Sequence, residues 1–356
     1  DTLVATITSK RIVLLARSSR VLSVTHGLIS TPAEIVEAYR KVWPLRLSHS
    51  SLNLLHECER KFQIEKLLAG PEDKEESAHF SFGKSVGTAV ATYLVTKDKD
   101  QALFQGWLAY WPVVESDAKN QVTAMAAIMG SFTALDGILA LYDVAEFNGQ
   151  PAVELSFKLA INETKYFVGH IDVVLRHKVT GKYFILEVKT TGLQLLDLKP
   201  AYQHSGQALG YSIALDKIVG EKLSTYGVLY FVVQLPHVKS QTYACRYHTF
   251  EFPKTLVDRL NWFVSLGLDV QHLEDMESMN IFPKRGASCI RFNKTCRHFG
   301  ICSLQNFDQP KEQKEDPIEY TFTYDLEELI EEHIERISQM PVIPPTSNIM
   351  DVDALL

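Results

Sequence analysis

Two apolar runs of strand length flank the turn-like segment KVTG in KYFVGHIDVVLRHKVTGKYFILEVKTTG, residues 165–192. Residues two apart in a strand point to one side. Glu187 and Lys189 therefore share a face with Ile185, while Leu186 and Val188 face the other way. Asp172 lies on the first run, and a hairpin brings it toward Glu187. The stretches VELSFKL at 153–159, YGVLYFVVQL and TYACRYHTFEF also read as strands, as do RIVLLA and RVLSV within residues 1–30. Helical spacing marks TPAEIVEAYRKV, with Thr31 as N-cap and Glu34 closing a capping box. It also marks LSHSSLNLLHECERKFQIEKLLAG as one helix, which buries Leu52, Leu55, Phe62 and Leu67 and ends at Gly70. Residues 83–142 read as mostly helical with a break near Trp111–Pro112. PAYQHSGQALGYSIALDKIVG and PKTLVDRLNWFVSLGLDV return to helix. A sheet interrupted by a long helix and covered by others is an α/β or α+β layered domain.

Composition narrows this picture. At 356 residues and 46% hydrophobic content the chain can fill one large core or two ordinary ones. No apolar run reaches about 18 residues, so no membrane span is expected. The opening DTLVATITSKRIVLLARSSR lacks the order of a signal peptide. Five cysteines in a chain this long point to a reducing cytoplasm rather than a disulfide scaffold. The net charge of −7 is unevenly spread: residues 308–356 hold 13 acids and 3 bases, which leaves the remainder at +3. A mildly basic body with an acidic tail is compatible with a DNA partner. The expected divisions are an N-terminal extension at 1–45, a body at 46–305 and an acidic helical tail at 306–356. In that tail YDLEELIEEHIERISQM carries an apolar stripe of Leu326, Leu329, Ile330, Ile334 and Ile337, with Asp325 and Glu328 as a capping box. The stripe, or the terminal DVDALL, is expected to be a handle for a protein partner; a helix docked on the body, or an acidic segment that competes with DNA for a basic groove, are the alternatives.

Asp172, Glu187 and Lys189 are the candidate chemistry. Two carboxylates on rigid strands can hold Mg²⁺ or Mn²⁺ through oxygens at about 2.1 Å. A neighbouring ammonium can stabilise charge developing on a phosphate. The grouping suits phosphodiester hydrolysis, although a strand edge with an ordinary ion pair accounts for the same three residues.

The order of several segments resembles the PD-(D/E)XK nuclease superfamily. GHIDVVLRHKVTGKYFILEVKTT is similar to its G-x-x-D strand, turn and (D/E)-x-K-T strand. LSHSSLNLLHECERKF resembles the S-x-S helix and C-x-x-x-F of the RecB-like and AddB-like exonuclease branch, VELSFKL resembles its upstream strand, and QALGY its Q-x-x-x-Y helix. The resemblance implies a restriction-endonuclease-like mixed sheet flanked by helices, with helical additions. It implies Asp172 and Glu187 as metal ligands, Lys189 as catalytic, the Val188 carbonyl as a third protein oxygen, and Glu154 as a further metal contact. The solvent side of an alternating strand explains Glu154 equally. Gln207 and Tyr211 become DNA contacts, with Gln203 extending their row. The branch often carries G-x-x-x-H on an early helix; here FGKSVGTAV has Gly83 in register but Gly87 where the His belongs. His79 precedes the glycine and reads as ordinary.

A subset of that branch holds a four-iron cluster on one upstream and three downstream cysteines. The resemblance carries this to Cys58, Cys289, Cys296 and Cys302, with zinc as second choice. The spacing from Cys289 to Cys296 is longer than usual there. Cys245 reads as core, and His298 as an alternative ligand. The expected activity is a divalent-metal-dependent DNA exonuclease of repair, recombination or phage DNA metabolism, in a bacterial or phage-infected cytoplasm. The other class is a non-catalytic DNA-binding or scaffold subunit with a degenerate nuclease fold, and an RNA nuclease is a third reading. No helicase P-loop is present in the sequence.

Overall fold

The computed structural model describes residues 45–68, 78–110, 118–193, 195–235, 245–291, 294–303 and 320–340. The elements expected before residue 45, the helix end at Gly70, the break at Trp111–Pro112 and the terminal DVDALL lie outside these residues.

β1 (Leu45–Leu47) leads into α1 (His49–Glu57), and α2 (Glu59–Phe62) continues as a π turn over Gln63–Leu67. Helices α3 (Ala78–Thr96), α4 (Lys99–Tyr110) and α5 (Ala118–Leu141) follow. β2 (Tyr142–Val144) and the short hairpin β3–β4 (Glu146–Phe147 and Gln150–Pro151) precede β5 (Val153–Asn162), β6 (Lys165–His177) and β7 (Tyr183–Thr191). Next come α6 (Leu195–Gln203), α7 (Gly206–Val219), β8 (Thr225–Gln234), β9 (Arg246–Thr255) and α8 (Leu256–Met279). The hairpin β10–β11 (Ile290–Arg291 and Lys294–Thr295), then β12 (Phe322–Asp325) and α9 (Leu326–Ser338), complete the described chain.

The long strands form one mixed sheet in the order β12-β5-β6-β7-β8-β9, with β1 and β2 pairing the two ends of β6. β6 and β7 are antiparallel across the KVTG turn, where Gly181 takes φ +69°, a conformation glycine adopts without strain. β7 and β8 are parallel. The sheet is buried on both faces. Phe157, Phe167, Ile185, Tyr230 and Trp262 belong to the core beneath α1, α7, α8 and α9. Val173, Leu175, Leu186 and Phe231 belong to the core beneath α3, α4 and α5. This is the layered mixed-sheet architecture expected from the sequence.

Three local expectations need correction. The helix read through 48–70 is not continuous. Ser48 caps α1 in a reciprocal box with Ser51, but Cys58 is extended at φ −167° and ψ 115°, so the chain restarts as α2. The helix read through PAYQHSGQALGY also breaks at His204, so Gln203 ends α6 and does not continue the row of Gln207 and Tyr211. In α5, residues Gln121–Leu141 are long and apolar enough to cross a membrane. The individual apolar runs are short, and length and composition over the whole helix produce the match. Its Ala124, Ala127, Ile128, Phe132 and Leu135 are buried against the sheet-side core, as in a core helix.

The tail is built into the body. β12 adds to the sheet edge beside β5, and Asp325 caps α9 by accepting from the Glu327 and Glu328 amides. Leu326 and Leu329 are buried, and His333 packs edge-on against Phe263. Arg336 reaches Asp216 at 2.5 Å and the Leu223 carbonyl at 2.7 Å, and buried Arg259 joins the same Asp216 at 3.3 Å. The stripe read as a partner handle is therefore turned inward at Leu326 and Leu329, because burying it on α8 and β5 removes apolar surface from water.

Candidate active site

Strand pleating changes side where the acids sit. In β6, Phe167 and Ile171 face the first core while Val173 and Leu175 face the second. In β5, Leu155, Phe157 and Leu159 face the first core and Val153 packs on the second. The two-residue alternation is thus lost at Asp172 and at Glu154. Glu154 sits at φ +49°, a region costly for a residue with a Cβ. Such irregularities re-aim side chains at sheet rims. Asp172 accepts a hydrogen bond from the Val188 amide at 2.9 Å, which ties it to the neighbouring strand. On β7, Lys189 Nζ donates to Glu187 Oε1 at 2.6 Å and to Gln207 Oε1 at 3.0 Å. Gln207 in turn donates to the Tyr211 hydroxyl at 2.8 Å, one turn along α7. Ser205 caps that helix by accepting from the Ala208 amide. Gly169 of the GHID stretch is required by this packing: a Cβ there would lie 2.6 Å from the Phe157 ring and 2.8 Å from the Tyr211 ring.

The carboxylates strain against each other. Burial, and then the Asp172 charge, raise Glu187 to a pKa of about 7; Lys189 opposes the shift. Glu154 has an exposed flank, yet its carboxyl is withdrawn among protein atoms, and that desolvation together with Asp172 raises it to about 7. Burial raises Asp172 too, against the pull of the Val188 amide and of the Lys189 and His170 charges. Tyr211 is held protonated, chiefly by burial and then by the Glu187 charge. Glu187 Oε2 is fully buried and has no hydrogen-bond partner.

The profile of the PD-(D/E)XK nuclease superfamily matches residues 46–348, most of the chain. The chain belongs to the PD-(D/E)XK nuclease superfamily. No curated protein matches its sequence. Among solved structures it is similar to the protein named "Putative exonuclease" from Eubacterium rectale, with 14% identity and a TM-score of 0.42 over 74% of this chain and 92% of that one. It is also similar to SSO0001, with 15% identity and a TM-score of 0.24 over 57% of this chain and 76% of that one.

The superfamily's divalent-metal chemistry can be tested against this nuclease's own atoms. As the side chains stand, no three or more His, Cys, Asp or Glu residues among those described converge on a metal position. Three carboxyls with raised pKa values and an unpartnered buried oxygen are nevertheless what an added cation would relieve. At Gly87, where the resemblance expects a histidine, α3 has no side chain. A Cβ added at Gly83 would lie 3.5 Å from the Thr190 hydroxyl of β7, and a Cβ at Gly87 would meet nothing within 4 Å. Two histidines escaped the sequence reading. His49, the first residue of α1, is kept neutral by burial and by the Lys189 charge. His170 stands two residues before Asp172 and acts on its charge. A histidine inside the GHID stretch was a signal for the second; His49 had none beyond its place in the S-x-S segment.

Cys58, Cys289, Cys296 and Cys302 lie toward the far end of α1, while Cys245 packs on the second core beside Tyr247. All five are free thiols. Cys302 senses Cys58 and Cys289 electrostatically, and its thiol pKa is raised mainly by burial. The Cys296 amide donates to the Cys289 carbonyl at 2.8 Å across the β10–β11 hairpin. The segment is clamped to α1 and α2 by polar contacts: Arg285 to Glu59, Arg297 to Glu65 at 2.8 Å, and Arg60 Nε to the Cys302 carbonyl at 3.3 Å. His298 pairs with Glu65 at 2.9 Å and is not directed at the thiols as a ligand.

Proposed function

We propose that this nuclease is a divalent-metal-dependent DNA exonuclease that hydrolyses phosphodiester bonds in repair, recombination or phage DNA metabolism in the cytoplasm. The observation that carries the reading is Lys189, held between Glu187 and Gln207 beside carboxyls whose mutual repulsion is unrelieved. Asp172 and Glu187, with the Val188 carbonyl and Glu154, are the residues that would hold Mg²⁺ or Mn²⁺. When bound, such a cation lowers the pKa of water and neutralises charge on the phosphate. The chain's own groups do the rest. Lys189 donates to a non-bridging phosphate oxygen as the bond to water forms and the ester P–O bond breaks. Gln207 fixes the Lys189 ammonium, and Tyr211 fixes Gln207, so that the donor is already oriented when charge develops. Gln207 and Tyr211 also border the path of the DNA strand. A protein partner using the acidic tail would find Glu327, Glu331 and Glu335 exposed on the outer face of α9.

The test is degradation of 5′- and 3′-end-labelled single- and double-stranded DNA and RNA with Mg²⁺, Mn²⁺ or chelator. Cleavage of DNA from an end, abolished by chelator and reduced about 100-fold or more in Lys189→Ala and Asp172→Ala, is the expected result. Lys189→Ala cleaving like the wild type would sink the assignment. Metal-independent DNA binding without cleavage would instead establish the scaffold reading, which Gly87 favours by its lack of a ligand side chain.

For the cysteines we propose a [4Fe-4S] cluster on Cys58, Cys289, Cys296 and Cys302, with structural zinc as second choice. The clustering of Cys58, Cys289 and Cys302 supports it. Anaerobically purified protein should absorb broadly near ~400 nm and lose that band in Cys296→Ser. Zinc without iron on elemental analysis would replace the cluster, and neither metal would leave free thiols.

A further inference from the structure

A groove runs the length of α1, beside the candidate active site. Three cavities of about 560, 690 and 370 Å³ lie end to end along this helix. The first and second share Asn53 and His56; the second and third share Leu54, Glu57, Ser288 and Arg291. The first cavity begins at the catalytic lysine's surroundings. It is lined by His49, which feels the Lys189 charge, and by Ser205 and Gly206, which immediately precede Gln207. The third ends on the β10–β11 hairpin at Lys294 and Arg297.

Charge runs along the same path. Residues 45–68 and 284–303 together hold nine Lys or Arg and three acids, a net of +6 in a chain of net −7. Those three acids are already engaged. Glu57 pairs with Lys61 and Arg291, Glu59 with Arg285, and Glu65 with Arg297. Of these bases, Lys61, Arg291, Lys294 and Arg297 line the groove, all at its hairpin end, where they outnumber Glu57 and Glu65. Toward the other end Asp258 and Asp269 line it with Lys254, and Asp269 is occupied by His56 at 2.7 Å. An extended polyanion satisfies the shape, and the four bases at the hairpin end meet its charge; a compact anion would fill only one of the three cavities.

We infer that this α1 groove is the track for the phosphodiester backbone of a nucleic-acid strand, leading from Lys189 and Gln207 to Lys294 on the cysteine-bearing hairpin. The inference rests on the nuclease reading for its ligand. It can nevertheless be tested without catalysis, because binding to a labelled single-stranded oligonucleotide can be followed by anisotropy in chelator. The full chain would be compared with Lys294→Glu and Asn53→Glu, at the end and in the middle of the groove. Lys182→Glu, at the exposed end of the β6–β7 turn, is the charge-matched control. Each groove variant should bind about three-fold or more weakly at about 50 mM salt. Lys294→Glu should also flatten the plot of log affinity against log salt by about 0.7, the value for one phosphate contact on a single strand. The control should match wild type, and matching melting temperatures would show that the folds are intact. Groove variants that bind like wild type, or no more weakly than Lys182→Glu, would overturn the track. If wild type binds, the groove variants bind less and no protein cleaves, then the track stands and the catalytic reading falls.

Discussion

Replacing Glu187 by Gln should destroy activity and stabilise the metal-free protein, and the stabilisation should depend on pH. Glu187 is buried and its pKa is raised from 4.5 to about 7. A carboxyl whose folded pKa lies above its unfolded value takes up a proton on folding. Its contribution to stability is fully present below pH 4.5 and is lost as pH rises through about 7. The shift corresponds to about 3 kcal/mol at pH 8, where the folded protein must carry the buried charge. Gln removes that burden and keeps the side-chain shape. The attraction of the Lys189 ammonium, about a third exposed, already holds the Glu187 value down and is part of that figure. A gain of about 3 kcal/mol is a rise of about 4 °C in Tm for a chain of this size. Thermal unfolding of wild type and Glu187→Gln in chelator at pH 5, 6.5 and 8 reads it directly. The two should coincide near pH 5, where Glu187 is protonated in the fold, and diverge as pH rises, with the variant the more stable. Other titrating groups are common to both proteins and cancel in the difference. Parallel curves from pH 5 to 8, or a variant that falls below wild type at pH 8, would refute the electrostatic account of the site.

Gln207→Leu removes both the acceptor for Lys189 and the donor to Tyr211, and kcat for phosphodiester cleavage should fall about 10- to 100-fold with a smaller change in KM, as steady-state kinetics would show. Gly169→Ala should cost about 1–3 kcal/mol in denaturant unfolding, since the new methyl enters space held by Phe157 and Tyr211; an unchanged midpoint would show that those rings move freely. Arg336→Ala leaves Asp216 with Arg259 alone and should cost about 2 kcal/mol, with earlier proteolysis after α9 if the tail is docked as described.

The hairpin carrying Asp172, Glu187 and Lys189 was legible along the chain, because strand pleating has a fixed period of two and the KVTG turn with Gly181 at positive φ declares itself. The layered mixed sheet followed from alternating strand and helix spacing. Glu154 was ambiguous for a physical reason. Period-two reasoning puts it on the solvent side, and only the tertiary structure shows β5 and β6 both changing side at Glu154 and Asp172, whose charges then act on each other. The break at Cys58 was illegible, since 48–67 has helical composition and the interruption is set by contacts more than 200 residues away, among them Arg285 on Glu59. The tail was ambiguous for the same reason. An amphipathic stripe states that one face will be buried and leaves open against what. Local periodicity is encoded in neighbouring residues, so the sequence determined the elements and placed Asp172, Glu187 and Lys189 on adjacent strands. Partner choice among apolar faces, and the pKa values that burial imposes on Glu154 and Glu187, depend on which distant surfaces exclude water, and that was decided only by the assembled fold.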